Sequence, residues 1–574
     1  MELSTSRPRV LGWLRSAAIL DGDWGTSICY VLGIAYFLAG DHSAWHLVMM
    51  LIFTSVIAVN YITICRLYPN GGGVYSSVSN RSRTLAVVGA LLLAADFVVT
   101  ASLSVLEACH YLNLENPEIW AIGIILIIGI LNWFGPRHAG TFAIAISTAT
   151  LVALIVLVAF AFPSAIQHVS LEPLSGGFSR NWSIFVGIIL SISGIEAISN
   201  MTGLMKNPAQ DSRRAILVVL TKISIATLVL GFAMLAVSHL DPVAHKEDMI
   251  RFLGETFIGS WFGHVIGFVL GFLLISAGNT AINSLIAIQF FMSVDGELPT
   301  NLRALNKYGV PIVPLVVATL VPVFVLVVVH DVITLASLYA IGVVGAIMIN
   351  LGSTGTDRGI KIPLLSRVFM LASAAALFVV EATIAVEKTK ALIFAVVVLG
   401  VGLAARQMAR RQIALAPVPA PVLAQAGIPS ITPKPISGVF TSKMMVAVRG
   451  GGEHLLRQAC EDAKVRNALL FVLHIKQVAV TGLLPEKVPA ESFVNQEWMD
   501  KICRESNIPY RIISILSSEV GYTIAEQAAT LAVDRLILGA TQRNLVEQAL
   551  RGDVLRSVSE LLPEEIQLVI YRAK

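Results

Sequence analysis

LDGDWGTSICYVLG, residues 20–33, lies in the first long apolar stretch of the chain and carries what such a stretch ordinarily excludes. Asp23 is flanked by Gly22 and Gly25, and Thr26 and Ser27 follow. A carboxylate at mid-membrane costs roughly 2.5–3.5 kcal/mol on insertion scales. Two glycines and two hydroxyl residues beside it read as a helix unwound at mid-depth, where free carbonyls, hydroxyls and a carboxylate coordinate a cation. The pattern returns in SISGIEAISN, residues 191–200, where Glu196 follows Gly194 among Ser191, Ser193 and Ser199. Matching interruptions in the first and sixth spans point to two inverted five-helix repeats followed by two extra helices.

The surrounding composition fixes the class. Of 574 residues, 56% are hydrophobic and 14% charged, against roughly a quarter charged in soluble domains, and the mean hydropathy is +0.77. Apolar runs of bilayer length recur from Leu20 to Ala404. We count twelve spans, centred near residues 28, 56, 97, 126, 152, 192, 227, 275, 321, 342, 377 and 398. The expectation is an all-α polytopic membrane protein without a cleavable signal peptide, because the first apolar stretch is interrupted by acids and leads straight into further spans. A net charge of +4 gives no ground for a nucleic-acid partner. Five scattered cysteines without a CxxC pair argue against a disulfide framework or a zinc site.

Orientation follows from basic residues in the loops. Twelve lie on one side of the counted spans (Arg66, Arg81 and Arg367 among them) and five on the other, Arg180 and Lys246 included. The richer side is expected to be cytoplasmic, with both termini on it, which suits a bacterial inner membrane.

The third span adds AADFVVTASLS, residues 94–104. Asp96, Thr100 and Ser104 recur every four residues and share a helix face, forming a polar track. Tyr339 in LYAIG marks the tenth span. Structural roles compete with these readings. The acids suit the free amides of broken helices, Thr100 and Ser104 suit bonds back to their own helix, and Tyr339 suits a membrane interface. Lys222 reads as snorkelling to the headgroups. Asp21 and Glu107 are weaker candidates, and Gly71–Gly73 reads as a backbone turn.

After the last span the chain changes character. RQMARR, residues 406–411, is suited to anionic lipid headgroups, and residues 412–437 form a Pro/Ala-rich linker. Residues 438–574 alternate five strand-like runs (444–448, 469–475, 511–516, 535–540 and 567–572) with helical patterns, the signature of an α/β domain with a parallel sheet. Residues 1–411 are assigned to the transporter domain.

GDWGTSICYVLG resembles the opening motif of the KUP/HAK/KT potassium transporters, with Ile28-Cys29 where those read Pro-Leu. LYPNGGGVY (67–75), SGIEAISN (193–200) followed by MKNP (205–208), and LYAIGV (338–343) resemble that family's KimA branch. The resemblance runs from about residue 10 to the C-terminus. It implies potassium–proton symport within the amino acid–polyamine–organocation (APC) superfamily, a LeuT-type fold, and a homodimer held by a cytoplasmic domain like the universal stress proteins. Potassium ligands then fall on Tyr30, Asp96, Thr100, Ser104, Ser193 and Tyr339, with Asp23 and Glu196 associated with ion binding or proton coupling. Ser193 stands where KimA proteins have Thr, which keeps the hydroxyl, and Phe97 where they have Tyr.

In the C-terminal part, the stress-protein resemblance places a nucleotide loop at Gly539 and Gly552. Gln542 and Asp553 replace the small and hydroxyl residues that cradle phosphates, and Arg449 stands where a nucleotide-contacting Asp is usual. Ordinary ATP binding is therefore not expected; cyclic di-AMP or another adenine nucleotide stays open, as does a dimerisation module without ligand. Two other readings are carried. One is a proton-coupled amino acid permease, disfavoured because Asp23 would repel a substrate carboxylate at the first break. The other is a membrane ion sensor signalling through its soluble domain. No catalytic residues are assigned, and the chain is not expected to be an enzyme.

Overall fold

The computed structural model describes residues 9, 11–71, 73–79, 81–135, 139–167, 173–238, 240–415, 442–448, 452–478, 497–517, 519–540 and 554–571. Its N-terminal part is helical: α1 (Trp13–Asp21), α2 (Ser27–Ala39), α3 (Ser43–Leu67), α4 (Val74–Ser79), α5 (Arg83–Tyr111), α6 (Pro117–Asn132), α7 (Ala139–Gln167) and α8 (Phe178–Gly187). There follow α9 (Ala197–Met201), α10 (Pro208–Leu235), α11 (Met249–Phe257), α12 (Ser260–Val294), α13 (Ile312–Val328), α14 (Val332–Thr356), α15 (Leu364–Glu387) and α16 (Thr389–Leu415). Starts follow local chemistry. Ser82 caps α5 by accepting from the Leu85 amide, and Asp331 caps α14 by accepting from Thr334. Proline opens α6 and α10, where a missing N–H is harmless.

Among the described residues, eight helices are long and apolar enough to cross a bilayer, or nine if the bent pair Phe178–Gly187 and Ile189–Leu204 is one span. Length and hydropathy thus return fewer spans than the twelve expected. Part of the shortfall is the stretch Trp24–Leu67, whose 44 residues count as one although about 20 suffice for a crossing. Gly40, at φ +54° and ψ −130°, interrupts it in a conformation that glycine tolerates and other residues resist. The rest is α6 and α13, at 16 and 17 residues too short to pass.

Burial separates scaffold from periphery. The apolar windows of α5 and α14 are each 78% buried, whereas those of α7 and α16 are 22% buried and bear the exposed apolar side chains that face lipid. The glycines of the tenth stretch explain how α5 and α14 pack. A Cβ on Gly342 would lie 2.8 Å from the Asp96 amide nitrogen, so the two backbones touch beside the acid.

The C-terminal part holds β1 (Ser442–Val448), α17 (Glu453–Val465), β2 (Ala468–Gln477), α18 (Glu497–Glu505), β3 (Tyr510–Ser517), α19 (Val520–Thr530), β4 (Arg535–Gly539), α20 (Val554–Leu561) and β5 (Gln567–Tyr571). All four strand pairings are parallel, in the order β3-β2-β1-β4-β5. The five strand-like runs of the sequence fall on these strands. Both faces of the sheet are covered by apolar clusters, as alternating strands and crossover helices require. Val478, just after β2, packs with Ala287 and Phe290 of α12.

Candidate functional site in the helical core

The first break forms where the glycines and the acid stand. α1 ends at Asp21, Gly22 and Asp23 form a turn that tightens from helical to i−3 hydrogen bonding, a tight turn spans Trp24–Thr26, and α2 begins at Ser27. The Thr26 hydroxyl donates to the Asp23 carbonyl at 2.5 Å, satisfying one acceptor that the interruption frees. The second break runs from the end of α8 at Gly187 through a tight turn, Ile189–Ile192, to Ser193 in extended backbone and Gly194 at φ +91°. Its two helices are bent by 45°.

The breaks lie against each other. The Trp24 indole donates to the Ser191 carbonyl at 3.2 Å. A Cβ on Gly194 would fall 2.5 Å from the Trp24 nitrogen and 2.8 Å from the Asp23 carbonyl carbon. The Gly194 amide donates to the Glu196 carboxylate at 3.1 and 3.3 Å, which fixes that acid beside the turn.

Around this contact the eight residues singled out in the sequence are all buried. Ser193 Oγ donates to Asp96 Oδ1 at 3.4 Å, bringing α5 to the second break. Glu196 and Asp23 are the charged neighbours of Asp96. Tyr339 of α14 lies close to Tyr30, Asp96, Asp23 and Glu196, and the Tyr30 hydroxyl faces Tyr339 and Thr26. Thr100 donates back to the Asp96 carbonyl at 2.8 Å, as its competing structural role required, and leaves an oxygen on the same face; Ser104 is buried one turn further along α5. The site is therefore three carboxyls, two phenols and several hydroxyls with no cationic side chain among them. Like charges repel strongly where water is scarce, so a positive guest offsets the cost. Among the described residues no three His, Cys, Asp or Glu side chains converge as a transition-metal cluster would.

Several neighbours escaped the sequence reading. Tyr61 of α3 hydrogen-bonds Asn350 and lies near Glu196 and Asp96, and Ser77 donates to Asn350 Oδ1 at 2.8 Å. Asn60, Tyr61 and Asn350 are polar residues within apolar runs, and that was the signal available. Gly73 has a specific partner too. A Cβ on Gly73 would meet Asn200 Oδ1 at 1.9 Å, so the turn lies against the end of the second motif.

Lys222 corrects an expectation. It does not snorkel: its Nζ donates to Asp21 at 2.6 and 2.7 Å, with side-chain exposures of 9% and 3%. Ser147 donates to the same carboxylate at 2.6 Å. The ion pair lies at the end of α1, directly before the first break. Gly25 makes room for it, since a Cβ there would lie 2.1 Å from Asp21 Oδ1. Asp21, read as a weak candidate, thus ties α1 to α7 and α10. Glu107 is fully buried, and neither carboxyl oxygen has a partner among the described residues.

In the sheet region Gly539 ends β4 beside β1, where strand order reverses and open α/β sheets hold ligands. Arg449 and Gly552, with Gln542 and Asp553, lie outside the described residues.

Residues 11–403, more than half of the chain, match the amino acid permease family. This chain belongs to the amino acid permease family. That makes it a multi-pass membrane transporter of the APC superfamily, and not an enzyme. The potassium transporter KimA of Bacillus subtilis (strain 168) is 25% identical over 325 residues, covering 52% of this permease and 52% of that protein. The L-methionine/branched-chain amino acid exporter YjeH of Escherichia coli (strain K12) is 25% identical over 273 residues, covering 43% of this permease and 62% of the exporter. The permease thus spans about half to three fifths of the length of these curated relatives. A solved universal stress protein in complex with cAMP is 16% identical, with a TM-score of 0.18, over 22% of this permease and 94% of that chain.

Proposed function

We propose that this permease takes up potassium together with protons by alternating access, as a KimA-like member of the KUP/HAK/KT group. One observation carries the reading: Asp23, Asp96 and Glu196 are charged neighbours beside the contact of the two breaks, with hydroxyl and phenol oxygens nearby. Potassium exchanges its hydration shell for carbonyl, hydroxyl and carboxylate oxygens, and Tyr30, Asp96, Thr100, Ser104, Ser193 and Tyr339 supply them. One of the acids, Asp23 or Glu196, carries the coupled proton. The two breaks belong to inverted repeats of the LeuT type. Counting Trp24–Leu67 as two crossings, the bent pair as one, and adding α6 and α13 brings the total to twelve. Both termini are then cytoplasmic, in a bacterial inner membrane, and the sheet region joins two copies.

An amino acid substrate is the second reading, favoured by the similarity to an amino acid exporter. The free amides at the start of α2 suit a substrate carboxylate, but Asp23 occupies the same break and repels one. Flux into proteoliposomes separates the two. The expected result is rubidium-86 uptake that rises with an inward proton gradient and is competed by potassium but not by methionine or leucine. Uptake of labelled amino acid without cation flux would overturn the potassium assignment. Flux of neither would favour an ion sensor.

A further inference from the structure

A cavity of about 1020 Å³ lies between the C-terminal ends of α3 and α14, α4 and the start of α15. Its walls carry three guanidinium groups, from Arg81, Arg358 and Arg367, and one carboxylate, Asp357. No carboxylate pairs with the arginines among the described residues. Arg81 donates to the Ser353 carbonyl at 3.1 Å and to the Thr356 hydroxyl. Arg367 donates to the carbonyls of Gly355, Asp357 and Ile360 at 2.7–3.0 Å. Arg358 is exposed, and among the described residues it makes no hydrogen bond or ion pair. Asp357 is engaged by the Gly359 amide at 2.7 Å.

Carbonyl and hydroxyl acceptors hold the Arg81 and Arg367 groups in place but do not neutralise them. Capping the end of α14 accounts for Arg367 and part of Arg81. It does not account for Arg358, nor for three positive charges converging on one cavity against a single negative one. Fixed guanidinium forks match phosphate oxygens in pairs of parallel bonds, which suits them to a phosphate better than lysines would be. The remaining wall is apolar, from Leu67, Ile360 and Leu371. At the start of α15, Leu364 and Leu365 are 76% and 82% exposed between Arg358 and Arg367 in sequence. Charge and grease therefore meet at one helix end, at the level where a span enters the headgroup layer.

We propose that this cavity binds the phosphate of an anionic phospholipid, with its acyl chains running along Leu364, Leu365 and the outer face of α15. Basic pockets between membrane helices on the cytoplasmic side take such headgroups. The assignment concerns a phosphate site on the scaffold and is independent of which solute the acid cluster transports.

The test uses the purified full chain in detergent and reads thermal unfolding while lipid is titrated. Phosphatidylglycerol should raise the midpoint saturably, and phosphatidylcholine should not. Arg358→Gln, which breaks no bond of the fold, should weaken the apparent phosphatidylglycerol affinity about tenfold, the scale of one lost charge-assisted hydrogen bond. Arg81→Gln should do the same, with a lower starting midpoint from its lost contact to α14. Equal stabilisation by the two lipids, or unchanged affinity in Arg358→Gln, would overturn the site. Inorganic phosphate and glycerol 3-phosphate form the second arm. They are expected to stabilise only at far higher concentration, and saturation at the lipid's concentration would overturn the lipid source in favour of a soluble phosphate.

Discussion

Asp96 is 1% exposed on α5, and among the described residues its side-chain hydrogen-bond partner is the Ser193 hydroxyl at 3.4 Å. No cationic side chain pairs with it among the described residues. Asp96→Asn keeps the shape and removes the charge. It should abolish potassium-dependent growth of a strain lacking its own uptake systems while the protein still reaches the membrane; near-normal rubidium uptake by the variant would remove Asp96 from the cation site. The pair Asp21–Lys222 is the opposite case, two buried charges that satisfy each other. Breaking one side leaves an uncompensated charge, which costs about 3–5 kcal/mol in buried pairs. Asp21→Asn and Lys222→Met should each lower the unfolding midpoint sharply in detergent. The double variant should regain most of the loss, and additive effects of the two changes would mean that the ion pair is not the origin of the cost. The acids of the site could be read directly from the sequence because each breaks an apolar run, Asp23 and Glu196 beside a glycine and Asp96 at the head of a hydroxyl track. The fate of Lys222 could not, since its partner lies 201 residues away and nothing local distinguishes a snorkelling lysine from a paired one.

At the scale of elements, two glycines let backbones approach, and the structure ranks them. Gly194 faces the Trp24 and Asp23 main chain and holds φ +91°, so neither neighbour nor backbone can yield. Gly73 faces the end of the Asn200 side chain, which can rotate away. Gly194→Ala should therefore eliminate transport and reduce the folded yield, whereas Gly73→Ala should retain a measurable part of both. Equal behaviour in a fluorescence size-exclusion and flux comparison would contradict the direct contact of the breaks. In the sheet region, Asp534 accepts from the Lys443 amide at 2.8 Å and from Ser442 at 2.9 Å, joining the start of β1 to the turn before β4. Those two bonds hold its carboxyl below the usual value. A depressed folded value means that the contribution is complete above about pH 4 and is lost as pH falls through it. Protease resistance of the sheet region should fall on acidification in the parent chain and be flatter with pH in Asp534→Asn. Both breaks and all five strands could be anticipated from residue pattern, because glycine, acids and alternating apolar runs act within a few positions. Helix number is less accessible to length and hydropathy, since α6 and α13 are short and only the brief interval at residues 40–43 divides Trp24–Leu67.

For the molecule as a whole, the sheet order places Gly539 at the reversal point that holds ligands in this topology. The sequence there puts Gln542 and Asp553 where phosphate contacts would need small and hydroxyl residues. Titration calorimetry on the full chain should show no micromolar ATP binding, while light scattering should return the mass of two copies. Micromolar ATP affinity, or a monomer at all concentrations, would revise the respective half of this prediction. The separation of Asp21 from Lys222 bears on synthesis. The first span leaves the ribosome with its acid bare, and 201 residues must follow before the matching lysine exists. At elongation rates of 5–20 residues per second that interval is roughly 10–40 s. During it the insertion machinery, or its chaperones, must shelter a charged half-helix that the finished protein neutralises for itself.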